Sequence, residues 1–148
     1  MMPVLQALVI AERIYTDDVG RKIICGTFNE IRLSDTSVVQ QVEGPDGTKL
    51  HMLQGGADVG SPSAFLSLTD VVDGTELKLQ MVNLTKNEVM FHVGVKIEKA
   101  HRLATVEMVL PLPATSIFAT EPGTLSLEVV WKGEILGSAR ITVVKQNP

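Results

Sequence analysis

Between Leu125 and Trp131 the chain carries a period-two pattern. Leu125, Leu127, Val129 and Trp131 share one parity, and Thr124, Ser126, Glu128 and Lys132 share the other. A backbone whose side chains point alternately up and down turns that pattern into one apolar face and one wet face, which is a half-buried β-strand. Glu121-Pro122-Gly123-Thr124 opens the strand with turn chemistry, Lys132-Gly133-Glu134 reverses it, and Ile135–Val144 closes the hairpin. Pairing Trp131 with Ile135 sets Leu125 against Ile141 and Leu127 against Ala139. That register needs either a three-residue loop or a bulge at Gly137, since a plain two-residue loop would split the apolar face. Both solutions put Trp131 on the core side.

Most of the chain is written in the same way. Residues 4–15 carry aliphatic side chains on both parities, with Val4, Leu8, Ile10 and Ile14 on one and Leu5, Ala7, Val9 and Ala11 on the other. A strand apolar on both sides is covered on both faces. The polar segment Thr16–Arg21 then reverses the chain, and Lys22–Leu33 reads as its partner, giving a long hairpin over 4–33. Val38-Val39 and Leu50–Leu53 read as short edge strands around the turn Gly44-Pro45-Asp46-Gly47, and Gln54–Pro62 as a flexible loop. Ser63–Val72 is a strand, followed after Asp73-Gly74 by a second with Leu77, Leu79 and Met81 inward. After the turn Thr85–Glu88 comes a strand with Val89, Phe91, Val93, Val95 and Ile97 on one face. A further strand carries Ala104, Val106, Met108, Leu110 and Leu112, and Pro111 is tolerable there only at a strand end or edge.

Eight or nine strands separated by turn signals every eight to twelve residues, without a helical stretch, indicate an all-β fold. The expected form is an antiparallel β-sandwich of about eight strands, immunoglobulin-like or C2-like, with 1–148 as a single domain. The 148 residues, 45% hydrophobic and 20% charged, suffice to bury a substantial core. The net charge of −4 gives no electrostatic footprint for nucleic acid or an anionic membrane. The densest basic group, Lys96, Lys99 and Arg102, is interrupted by Glu98 and reads as a solvated strand end. No stretch approaches eighteen apolar residues, and the apolar start Met1–Ile10 has no basic residue before it, so a soluble, cytoplasmic protein is expected.

Chemistry is sparse. Cys25 is the single cysteine and lies in the apolar run Lys22–Phe28, where it reads as a small buried hydrophobe with no base or cation beside it in sequence. His51, His92 and His101 fall in separate elements with no zinc-ligand spacing. Asp17, Asp18, Asp46, Asp58, Asp70 and Asp73 sit in or beside turns, where aspartate bonds its own backbone; loop aspartates also serve calcium in some sandwiches. The loop Gly55-Gly56…Gly60 lacks the Lys-Ser/Thr of a phosphate loop, and no Gly-x-Ser-x-Gly elbow occurs. Tyr15, Phe28, Phe65, Phe91, Phe118 and Trp131 mostly occupy apolar parities and read as core. No catalytic, cofactor-binding or metal-binding residue is assigned, and no cofactor is expected.

Two segments resemble a known family. The early Ala7–Ala11, Gly20 and Ile23-Ile24-Cys25-Gly26-Thr27-Phe28-Asn29-Glu30-Ile31, with the late Pro122-Gly123-Thr124, Lys132-Gly133-Glu134 and Val143, are similar to an uncharacterised bacterial family of immunoglobulin-like β-sandwich proteins, a domain of unknown function. Leu125 stands where that family often has an aromatic residue, and Glu12 or Arg13 where it often has an aspartate. The resemblance implies a β-sandwich and brings no reaction, ligand or site residue.

The functional expectation is therefore a non-catalytic protein-interaction or scaffolding module whose partner is another protein or a second copy of itself. Residues 36–53, with Val38, Val39, Leu50, Met52 and Leu53, are the candidate surface. The alternative is a small-ligand or calcium-binding domain using the loops around Asp17-Asp18 and Asp70–Gly74.

Overall fold

The computed structural model describes residues 2–43, 49–57 and 59–145, and the side chains of 35–57 are outside that description. The chain is all-β. Its order is β1 (Val4–Thr16), β2 (Lys22–Thr27), β3 (Glu30–Glu43), β4 (Lys49–Ala57), β5 (Ser63–Thr69), β6 (Thr75–Asn83), β7 (Glu88–Ile97), β8 (Val106–Pro111), the single-turn helix α1 (Thr115–Phe118), β9 (Gly123–Trp131) and β10 (Glu134–Lys145). Two sheets form, one ordered β2-β1-β5-β8 and the other β4-β3-β10-β9-β6-β7.

One core cluster joins the sheets. Ile10, Leu66 and Leu68 come from the first, and Leu79, Met81, Leu127, Val129 and Ile141 from the second. The alternation in β6 and β9 chooses these residues, since Leu77, Leu79 and Met81 are buried while Glu76 and Lys78 are exposed. The cover is partial. β1 pairs with β5 over Val4–Ala11 and with β2 over Ala11–Thr16, so past Ala11 the β1–β2 hairpin runs on as a two-stranded ribbon. β3 likewise pairs with β10 only over Glu30–Leu33 and with β4 from Leu33 onward.

The closing hairpin resolves its register through the bulge. Lys132 and Gly133 form a two-residue turn with φ of 47° and 81°, a left-handed pair whose twist suits a tight hairpin. The register then shifts between Ile135 and Gly137, restoring Leu127 opposite Ala139 and Leu125 opposite Ile141. A Cβ at Gly137 would lie 2.5 Å from Leu5 Cδ2, so a larger residue there must displace the end of that side chain. Trp131 is half-buried and packs against the core cluster.

Several expectations need correction. Among the described residues there are ten strands, and the pairing of β10 with β3 is parallel, because the chain leaves the first sheet at Phe28-Asn29 and re-enters beside its own last strand. The apolar run 22–33 is thus two strands in different sheets rather than one partner of β1. The short edge strands expected near Val38 and Leu50 are long, with β3 inside the sheet, and Gln54–Ala57 belongs to β4 rather than to a loop. The turn at Gly44-Pro45-Asp46-Gly47 lies outside the described residues. Ala104 precedes β8, and Pro111 ends it, as a residue without an N–H should. Helix α1 gives no periodic signal because it is one turn. It is held by tertiary bonds: the Thr115 N–H donates to Gly60 O at 2.9 Å, the Thr115 hydroxyl to Val59 O, and Phe118 packs on Phe91 with ring centroids 5.5 Å apart.

Candidate functional site

Local turn bonding explains the aspartates first. In the β1–β2 reversal Asp17 Oδ1 accepts from the Val19 and Arg21 N–H groups at 3.0 and 2.8 Å, and Oδ2 from Arg21 Nε at 2.8 Å. The Arg21 backbone N–H, then its side chain and the Val19 N–H, hold the Asp17 carboxyl below the usual aspartate value. At the other loop Asp73 Oδ1 accepts from the Lys99 N–H at 2.6 Å, and the Gly74 N–H donates to Ile97 O at 2.8 Å. Both loops are thus built as turns.

They also lie at opposite ends. Val4 is paired with Thr69, beside Asp70, whereas Asp17 follows the far end of β1. Thirteen residues at ~3.3 Å each separate them by about 40 Å, so no single ion can join the two loops. Among the described residues no three His, Cys, Asp or Glu side chains gather to hold a metal. His92 is exposed on β7 and His101 is exposed in the following loop, its Nδ1 accepting from the Leu103 N–H at 3.2 Å; the side chain of His51 lies outside the described residues.

Cys25 is exposed, which corrects its sequence reading. It sits in the ribbon beyond the core, paired with Arg13, on the face that also carries Tyr15 and Ile23. Tyr15 is 48% exposed for the same reason. Alternation along a strand sorts residues onto two faces, and it does not say whether a second sheet covers either.

Two concave surfaces lie on the second sheet. A depression of about 460 Å³ lies over its outer face, lined by Glu76, Lys78, Gly94, Lys96, Val130 and Lys132 among others. A neighbouring cleft of about 420 Å³ at the sheet's end is lined by Val72, Asp73, Thr75, Trp131 and Lys132. Lys132 is the wall between them, held in the tight turn with its Nζ 4.8 Å from the Trp131 ring centroid.

Beside the depression runs β7, the terminal strand of its sheet. Its expected inward row is only partly covered. Ile97 is buried and Phe91 half-buried, but Val93 is 40% exposed, and Val89, 55% exposed, is set opposite Val82 and so leaves the inward row. A register shift opposite Met81/Val82 interrupts the start of the strand, leaving Phe91–Ile97 as a regular run of edge backbone. Sequence reasoning missed this surface, because the apolar parity of β7 looks like core until the sheet order shows nothing beyond it. The expected surface over 36–53 falls on β3 and β4, whose side chains lie outside the described residues; its backbone places β4 at the opposite edge of the same sheet.

No protein-family model matches the chain, and no curated protein matches it. Among the described residues no helix is long and apolar enough to cross a membrane.

Proposed function

We propose that this chain is a non-catalytic interaction module that binds another protein by adding a strand to the free edge of β7. The observation that carries this reading is the run Phe91–Ile97, an edge ladder with an exposed valine at its centre. Such an edge offers alternating N–H and C=O groups at full strength, and an incoming strand satisfies them while its side chains select the partner. Both edges of the first sheet are weaker templates. β2 and β8 are six residues each, β2 lies in the ribbon beyond the core, and β8 ends at Pro111.

An immunoglobulin-like arrangement, as in the bacterial family the two end hairpins resemble, is part of the same proposal. What supports it is the order β10-β9-β6-β7, which parallels the G-F-C-C′ order of variable-type domains, and β1-β5-β8, which parallels A-B-E. β2 and β4 are additions to that plan.

The test is a photo-activated cross-linking side chain at Val93, irradiated in native lysate and read by mass spectrometry. A reproducible protein adduct, or a second copy of the chain, is expected. Background alone at Val93 would contradict the reading.

A small-ligand function has one observation in its favour, the cleft that places Trp131 and Lys132 beside Asp73 and Thr75. It predicts a higher melting temperature in the presence of a ligand. A thermal-shift screen that includes millimolar calcium and finds no rise would remove it.

A further inference from the structure

We infer that the strand received by β7 is acidic, with carboxylates on the face that continues the outer face of the sheet; this rests on the strand-addition reading above. The register across that face runs Gly94–Lys78–Val130–Ile135 in one row and Lys96–Glu76 in the next. Lys78 and Lys96 thus stand on that face beside Gly94, and the depression they line, with Val130 in it and Lys132 at its far side, carries a single carboxylate residue, Glu76. The ion pairs formed among the described residues are Arg21–Asp17, Arg32–Glu30 and Lys86–Glu121, and none involves these lysines. On a chain of net charge −4 this is a local reversal of sign at the foot of an open edge.

Gly94 gives the site its shape. A Cβ built there would meet nothing within 4 Å, so the outer face has a notch at the edge strand. A strand added beside β7 lies two strand spacings, about 10 Å, from β6. Across the notch, an extended glutamate opposite Gly94 on the new strand and the extended Lys78 side chain span that distance together. Lys96, two residues along β7 on the same face, flanks the carboxylate. A basic incoming strand would meet two like charges, Lys78 and Lys96, on the same face.

The experiment selects ligands from a displayed library of random peptides on the folded chain, then measures the selected peptides against Lys78→Gln, Lys96→Gln and Gly94→Val variants. Gly94→Val fills open space in a strand with a β-branched residue, so the variant is expected to fold. Selected peptides should carry Asp or Glu at alternate positions, lose about 3-fold in affinity per lysine removed, and weaken with added salt. Gly94→Val should weaken them without changing the net charge. Amide exchange on each complex separates this inference from the reading beneath it. Protection over 88–97 by peptides without acidic enrichment, or with unchanged affinity for the lysine variants, would overturn the acidic partner alone. Protection elsewhere, or no selected peptide, would overturn strand addition at β7.

Discussion

At the scale of single residues, close approach and turn bonding decide more than side-chain class. Gly137 sits where the bulge brings the closing strand against Leu5, and a Cβ there fits only if the Leu5 side chain shifts. Gly137→Ala should cost about 1–3 kcal/mol in urea unfolding, because Leu5 packs on the core and has little freedom to retreat. Adding Leu5→Ala should make the pair less destabilised than the sum of the single changes, and simple additivity would contradict the contact. Asp17 carries a pH signature. Its folded value is lowered, so its contribution is complete above the unfolded aspartate value near ~3.9 and is lost as pH falls through the folded value. Amide protection over 15–23, measured relative to the intrinsic exchange rate at each pH, should therefore fall below about pH 4 in the wild type, and Asp17→Asn should remove that dependence. The inward parity of β6 and β9 was legible from sequence, whereas the exposure of Tyr15 and Cys25 was not. Their pattern is that of any half-apolar strand, and only the sheet pairing shows that the ribbon outruns its cover.

At the scale of elements, strands with one covered face are readable, and those that change sheet or lie at an edge are not. The run Lys22–Leu33 is continuously apolar in part, yet the chain crosses between sheets at Phe28-Asn29. Hydrophobicity is the same on either side of such a crossing, so periodicity alone passes over it. Helix α1 is the converse, an element specified by contacts distant in sequence. Thr115→Val keeps its shape but leaves the Val59 carbonyl without its buried donor, at a cost of about 1–3 kcal/mol. Thr115→Ser should retain most of the stability. Equal melting temperatures for the valine and serine variants would show that the hydroxyl is dispensable. The last hairpin shows a middle case: sequence offered two registers for one apolar face, and the left-handed Lys132-Gly133 pair selects the bulged one.

At the scale of the whole molecule, the core is shared between two sheets while their terminal strands stay open. The apolar content that predicted an all-β fold is spent mostly inside, on the Leu66, Leu79, Leu127 and Ile141 layer, and partly outside, on Val89 and Val93. The candidate surface was not legible in the sequence because an edge is a property of sheet order, and sheet order depends on pairings up to most of the chain apart. The decisive measurement places the photo-cross-linking side chain in turn at Val93 of β7, Ile23 of β2, Glu107 of β8 and Met52 of β4. Adducts to one protein partner, strong at Val93 and weak at the other three, are the predicted result. A partner captured at Ile23, Glu107 or Met52 while Val93 stays at background would contradict it.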